Sequence, residues 1–236
     1  MKSELKHGDA IIPYHIIQTK RKKTMQIFIE KDDVEVRAPQ SMALPEIKKI
    51  LETRISWIFK KQLLMKERKS DIKIKKNSFL YLGQSIPYMI KTGQSSEKII
   101  YTKNQFNIFT KSKSPNLNEI QKMYFEWLED KYSTFINNKF DLYSKKLQVK
   151  PKGYKIKNLE SKWGSATVSG QINLNLHLLK APRKIIDYVI MHELAHLRIR
   201  GHKHEYWAFL GKFMPDFEQR KKWLDDNHVE ILGSKY

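Results

Sequence analysis

The 236 residues include no cysteine. Disulfides, thiolate nucleophiles, iron–sulfur clusters and cysteine-held zinc are therefore excluded, and any metal must rest on His, Asp or Glu. No stretch approaches 18 consecutive apolar residues, and the opening Met1-Lys2-Ser3-Glu4-Leu5-Lys6-His7-Gly8 lacks the apolar core of a signal peptide. These absences predict a cytoplasmic protein with no membrane partner. The nine glycines are scattered, so there is no Gly-rich phosphate loop, and the chain has no internal repeat or low-complexity tract. Negative charge is also scarce: 25 Asp and Glu stand against 45 Lys and Arg, a net +20. The surplus leans towards the N-terminal half, with 24 basic against 11 acidic residues up to Asn118 and 21 against 14 after it. Such a charge suits polyanions, although lysine-rich surface of this kind also occurs as plain solvated composition. No helix-turn-helix, zinc finger or RRM-like aromatic signature reads bases, so any nucleic-acid partner would be bound without regard to sequence. The run Lys20-Arg21-Lys22-Lys23 is the candidate patch, with a solvated loop as its plainer reading.

What is present is a globular composition, 40% hydrophobic and 30% charged. Short alternating stretches open the chain: a strand at Tyr14 to Ile17, then a hairpin with Ile27 and Ile29 against Val34 and Val36. The period changes over Ser41 to Lys69, where Leu44, Ile47, Leu51, Ile55 and Ile58 recur three to four apart and predict one long amphipathic helix. Strands follow at Phe79 to Leu82, Ile86 to Ile90, Ile99 to Tyr101 and Phe106 to Phe109, with a turn at Gly83-Gln84. The polar segment Lys111 to Asn116 marks the expected boundary between a basic, β-rich N-terminal domain (1–116) and a second domain (117–236). In the latter, Asn118 to Leu147 is helical with its aromatics at core spacing. Tyr154 to Asn158 and Gln171 to Leu176 read as strands, Pro182 opens a helix to about Arg200, and two further helices fit Lys203 to Phe213 and Pro215 to Asp226. The fold class is α+β.

Chemistry concentrates in Ile190-Met191-His192-Glu193-Leu194-Ala195-His196. His192 and His196 are one helical turn apart, so both imidazoles leave the same face and can share one metal ion, while Glu193 can take a proton from a metal-held water. With eight histidines in the chain, the pattern is expected by chance only about 0.02 times, which makes the match specific. A catalytic zinc needs a third ligand and an open position. His202 leads, because Gly201 can close the helix and turn the chain back. His204, Glu205 or a distant carboxylate are the alternatives. Tyr206, His204, Tyr188 and Arg198 are candidate oxyanion donors near the motif, the tyrosines doubling as packing residues. Asn173 and Asn175, on one side of the strand before the metal helix, are candidate substrate contacts if that strand accepts an extended peptide.

Taken together, Trp163-Gly164-Ser165, Ile172-Asn173-Leu174-Asn175, Asp187 through Leu197, and His202 ahead of Tyr206-Trp207 resemble the YgjP-like zincin-type metallohydrolases, relatives of the SprT-like and WLM groups. The resemblance covers nearly the whole chain, but only the C-terminal motifs are specific. It implies a mostly helical zincin-like domain after the β-rich region. It also implies one zinc ion per chain on His192, His196 and His202, with Glu193 as acid/base and a peptide or protein substrate. The family also carries a nucleotide pyrophosphatase label, and its SprT-like relatives act on DNA-linked proteins. These imply a nucleotide substrate, or a DNA-associated protease, as alternatives. Ala166 stands where many members have cysteine and Gly201 where asparagine is frequent. Neither touches an expected ligand.

Overall fold

The computed structural model describes residues 2–8, 10–20, 24–29, 33–66, 72–159 and 162–232. The chain divides into two compact units, Met1–Lys69 and Ser70–Tyr236.

In the first unit, β1 (Lys2–His7), β2 (Ala10–Thr19), β3 (Gln26–Ile29) and β4 (Val34–Pro39) form one sheet in the order β1-β2-β4-β3. The expected hairpin is there, with Ile27 opposite Val36 and Ile29 opposite Val34. The long helix expected over 41–69 is instead α1 (Leu44–Thr53) followed by α2 (Ile55–Lys66). Neither glycine nor proline causes the break. The Thr53 hydroxyl donates to the Ile50 carbonyl at 2.8 Å, the acceptor that the Arg54 N–H would use in an unbroken helix, and Arg54 N–H bonds Leu51 O at 3.1 Å instead. Ile47, Leu51 and Ile58 still reach the core, against Leu5, Ile12, Val34 and Val36.

The second unit holds the remaining elements. Strands β5 (Ser78–Tyr81), β6 (Gln84–Lys91), β7 (Lys98–Thr102) and β8 (Gln105–Phe109) pair in the order β5-β6-β8-β7. The 30-residue helix α3 (Leu117–Lys146) follows, started by a capping box in which Asn116 accepts from Glu119 N–H and Glu119 accepts from Asn116 N–H. The expected boundary at 116 lies inside this unit. Phe79 stacks on Tyr124 at 4.0 Å and Phe106 meets Trp127 edge-on, so sheet and helix share one core and the polar segment before α3 is an internal connection. The β5–β6 turn is also tied onward, since Leu82 N–H and Gly83 N–H donate to Leu179 O and Lys180 O, each at 2.9 Å.

A small sheet comes next, built from β9 (Gly153–Lys157), β10 (Gly164–Ala166) and β11 (Gln171–Asn175) in the order β10-β11-β9. A short 3-10 helix, Leu176–Lys180, leads into α4 (Arg183–Ala195), then α5 (His204–Phe213), α6 (Phe217–Asp226) and α7 (His228–Leu232). Helix α4 is covered by α3, with Lys139 paired to Asp187, and by the 3-10 segment. Among the described residues, no helix is long and apolar enough to cross a membrane. Because the second unit closes its own core, residues 70–236 produced alone are expected to unfold in one cooperative thermal transition and to keep the metal site. A fragment without near-UV circular dichroism or a transition would refute the division.

Candidate metal centre

Helix α4 is apolar around most of its circumference: Ile185, Ile186, Val189, Ile190, Met191, Leu194 and Ala195 are all buried. Such a helix is held by burial over most of its surface, and apart from Arg183 and Lys184, exposed in its first turn, what it offers to solvent lies in its C-terminal turn. There His192 and Glu193 face a cleft of about 500 Å³. The helix stops sooner than the sequence suggests, with His196 as its C-cap rather than Arg200 near its end. Leu197 N–H turns back to Leu194 O, and Arg198 and Ile199 N–H both turn to Ala195 O. Gly201 then takes φ +77, a conformation that costs glycine little, and the chain reverses to bring His202 over the helix end.

The consequence is a triangle of imidazole nitrogens. Nε2 of His192, His196 and His202 lie 3.3, 3.0 and 3.0 Å from one another. Nitrogens about 2.05 Å from one tetrahedral ion would be about 3.3 Å apart, so the three fit a single metal. Their lone pairs repel at this distance unless a cation shares them. Burial, foremost, and the neighbouring imidazoles hold His192 down to about 3, and burial also lowers His196 and His202, so all three are neutral ligands at pH 7. The other ring nitrogens are partly anchored, His196 Nδ1 at 3.3 Å from Ile199 O and His192 Nδ1 at 3.5 Å from Tyr188 Oη. Helix α5 supplies a floor. Tyr206 is wholly buried, stacks on His196 at 4.5 Å and donates its hydroxyl to His192 O at 2.8 Å, while Trp207 stacks on His202 and donates Nε1–H to His202 O at 3.0 Å. The Tyr206 hydroxyl is thus committed to the backbone, and its place supports a packing role over that of an oxyanion donor.

Glu193 is only 6% exposed, and its carboxyl has no hydrogen bond to a described residue. Burial pushes it up to about 8, opposed in part by the positive charge of Lys162. Its side chain lies against β10 so closely that a Cβ on Gly164 would sit 2.6 to 2.9 Å from Glu193 Cγ, Cδ and Oε1. Only glycine leaves room there. The string Trp163-Gly164-Ser165 signals the spot, but periodicity could not place it beside the helix because a three-residue strand leaves too little pattern.

The other candidates separate from this centre. His204 and Glu205 are exposed and stand outside the cluster, which among the described residues consists of the three histidines. Asn173 donates to Ser165 Oγ at 3.1 Å. Asn175 is completely buried, donating to Leu159 O and Lys162 O and accepting from His177 N–H, so it has nothing left for substrate. Strand β11 cannot add a peptide either, being paired on both sides; the edges of this sheet are β9 and β10, and β10 is the one that lines the cleft. Tyr188 lines the cleft, whereas Arg198 lines a separate groove with Lys150. Lys20 is exposed in the first unit, and Arg21, Lys22 and Lys23 lie outside the described residues.

The model of a family described as YgjP-like, metallopeptidase domain, matches residues 23–227. Among solved structures, the chain is similar to the crystal structure of the metallopeptidase zymogen of Pyrococcus abyssi abylysin. Identity is 21% and the TM-score 0.36, over 41% of this chain and 94% of that one. No curated protein matches.

Protein purified without a histidine tag is expected to carry about one divalent ion per chain. His192→Ala, His196→Ala and His202→Ala should each lose it, while His204→Ala should keep it. Elemental analysis decides, and full metal content in the His202 variant would remove the third ligand.

Proposed function

The chain belongs to the YgjP-like metallopeptidase-domain family, and on that premise we propose that it is a zinc-dependent metallopeptidase acting in the cleft between β10 and α4. The observation that carries this reading is the convergence of three neutral imidazole nitrogens beside one buried, unbonded carboxyl. Three neutral histidines with a side open to the cleft suit a catalytic zinc better than a structural one, which takes four protein ligands. A bound ion supplies Lewis acidity and acidifies a coordinated water towards a pKa of about 7. Glu193 is the group that holds and returns the proton, and Gly164 lets it stand close to the open side of the triangle.

Substrate would lie along β10. Trp163 O accepts from Asn175 N–H, Thr167 N–H donates to Gln171 O, and Ser165 sits opposite Asn173. In an antiparallel pair the groups between these face away, which leaves the N–H and C=O of Gly164 and Ala166 on the outer edge. Arg200 takes the Ala166 carbonyl, and an extended peptide can bond to the others by strand addition. A second reading, hydrolysis of a nucleotide phosphoanhydride, is favoured by the cations Lys162, Arg200 and Lys221 in the cleft lining. Against it, the described lining holds only two carboxylates, Glu193 and Asp225, and Asp225 is paired to Lys221 at 3.0 Å, so no cluster is there to hold magnesium. The net charge of +20 is what supports a nucleic-acid-associated protease. Its mark would be casein cleavage stimulated by DNA and weakened steeply by salt.

Zinc-loaded protein should cleave casein and leave UTP intact. Glu193→Gln should keep the ion and lose about 10²- to 10⁴-fold in kcat, whereas undiminished turnover in that variant would remove the proposed base. Gly164→Ala, which forces the carboxylate aside, is expected to lower kcat at least tenfold (about 1.4 kcal/mol in the barrier) at unchanged metal content.

A further inference from the structure

The edge offered by β10 is short, and each end of it carries a positive charge. Lys162 stands two residues before Gly164, exposed at the cleft. At the other end Arg200 donates Nη1–H to Ala166 O at 3.2 Å and Nη2–H to Thr167 O at 2.8 Å. Both acceptors are neutral carbonyls, so the guanidinium keeps its full charge while closing the outer edge at Ala166 O. Lys162 makes no ion pair with a described residue. The third cation of the lining, Lys221, is already matched by Asp225. An extended chain on β10 therefore passes a positive charge at each end of the strand, neither of them in an ion pair with a described residue, and this holds for either direction of the peptide.

We propose that the cleft selects peptides with acidic side chains flanking the scissile bond on both sides, with Lys162 and Arg200 as the specificity-determining residues. The proposal rests on the peptidase reading and names its substrate class. Cations at a cleft mouth attract carboxylates and repel ammonium groups, an interaction strongest where low-dielectric walls focus the field and weakened by salt. Each well-placed carboxylate is expected to raise kcat/KM roughly fivefold to tenfold over glutamine, mainly through KM, and lysine flanks should lower it by a similar factor. The short free edge supports the same selection. With few backbone bonds available on β10, side-chain charge has a larger share in holding the peptide.

The test uses metal-loaded, full-length protein and fluorogenic peptides sharing one core, with Glu, Gln or Lys flanks, at low and at 0.5 M salt. The expected order is Glu, then Gln, then Lys, with the spread narrowing in high salt. Lys162→Glu should reverse the order on its side of the bond. Arg200→Gln should flatten it on the other. Reading the ratio between peptides within each variant cancels any general loss of rate or metal, which matters for Arg200 because it also braces β10. Equal cleavage of all flanks, or a Glu preference that survives Lys162→Glu at both flanks, would overturn the acidic selection and leave the peptidase reading standing. If no peptide is cut, the peptidase reading falls and this proposal with it. UTP hydrolysis in that same sample would assign the two cations to phosphate.

Discussion

Burial of α4 on almost all sides is the constraint from which the centre follows. A helix packed against α3, the 3-10 segment and the small sheet can neither rotate nor slide without exposing Ile186, Val189, Ile190 or Leu194. Exposing even one such side chain costs about 1.5 to 3 kcal/mol. That fixes the angle at which His192 and Glu193 leave the last turn, so these side chains need little positioning of their own. The rest is done at the helix end, where the reversal at Gly201 carries His202 back, and by α5, whose Tyr206 and Trp207 clamp two of the three rings.

Glu193 sits where opposite demands meet. Burial makes its carboxyl reluctant to ionise, and the lysine near it restores part of the anionic tendency. A base that must take a proton and then give it up is served by a pKa near the working pH, which a fully solvated carboxylate would not have. The shift depends on Gly164, because any larger residue would displace the side chain from its dry position against β10. An apolar wall on one side and an open cleft on the other thus belong to one arrangement.

Legibility in the sequence followed the length of each pattern. Thirty residues of α3 and the four-residue spacing of His192 and His196 repeat their signal often enough, or are rare enough, to be read directly. The reversal to His202 was readable because glycine has few reasons to stand between a helix and a histidine. Strand β10, with three residues, had no period to detect. As a result the sequence offers β11 as a candidate for peptide addition, since its alternation is clear but no local signal reveals its neighbours. The break at Arg54 depends on which proton donor wins one carbonyl, a competition that leaves the apolar spacing of α1 and α2 intact. The polar segment before α3 looked like a linker because polarity reports exposure, and exposure is common to linkers and to loops within a unit.

The buried asparagine that was expected to meet substrate shows how the edge and the metal are held in register. Asn175 ends β11, and α3 reaches it through the Tyr132 hydroxyl, which donates to Asn175 O at 3.0 Å. Its amide then bonds Leu159 O and Lys162 O at 2.7 Å each, and its own N–H bonds Trp163 O. One residue therefore holds Leu159 and Lys162 through its side chain and the start of β10 through its backbone. At the far end of β10 the Arg200 fork bonds two carbonyls from the segment that leads to His202. Since Arg200 lies two residues from that ligand, any shift of the strand pulls on the ligand loop, and any shift of the loop pulls on the strand. The long helix, the edge that would take a peptide and the third ligand thereby form one hydrogen-bonded chain. Its Tyr132 bond is buried, where leaving a partner unmade costs about 1 to 3 kcal/mol, the two from the Asn175 amide are partly buried, and the Arg200 pair is exposed. Relative motion of β10 and the histidine cluster is resisted at both ends of the strand, and that is the condition under which Glu193, in the proposed role of proton carrier, would keep its aim.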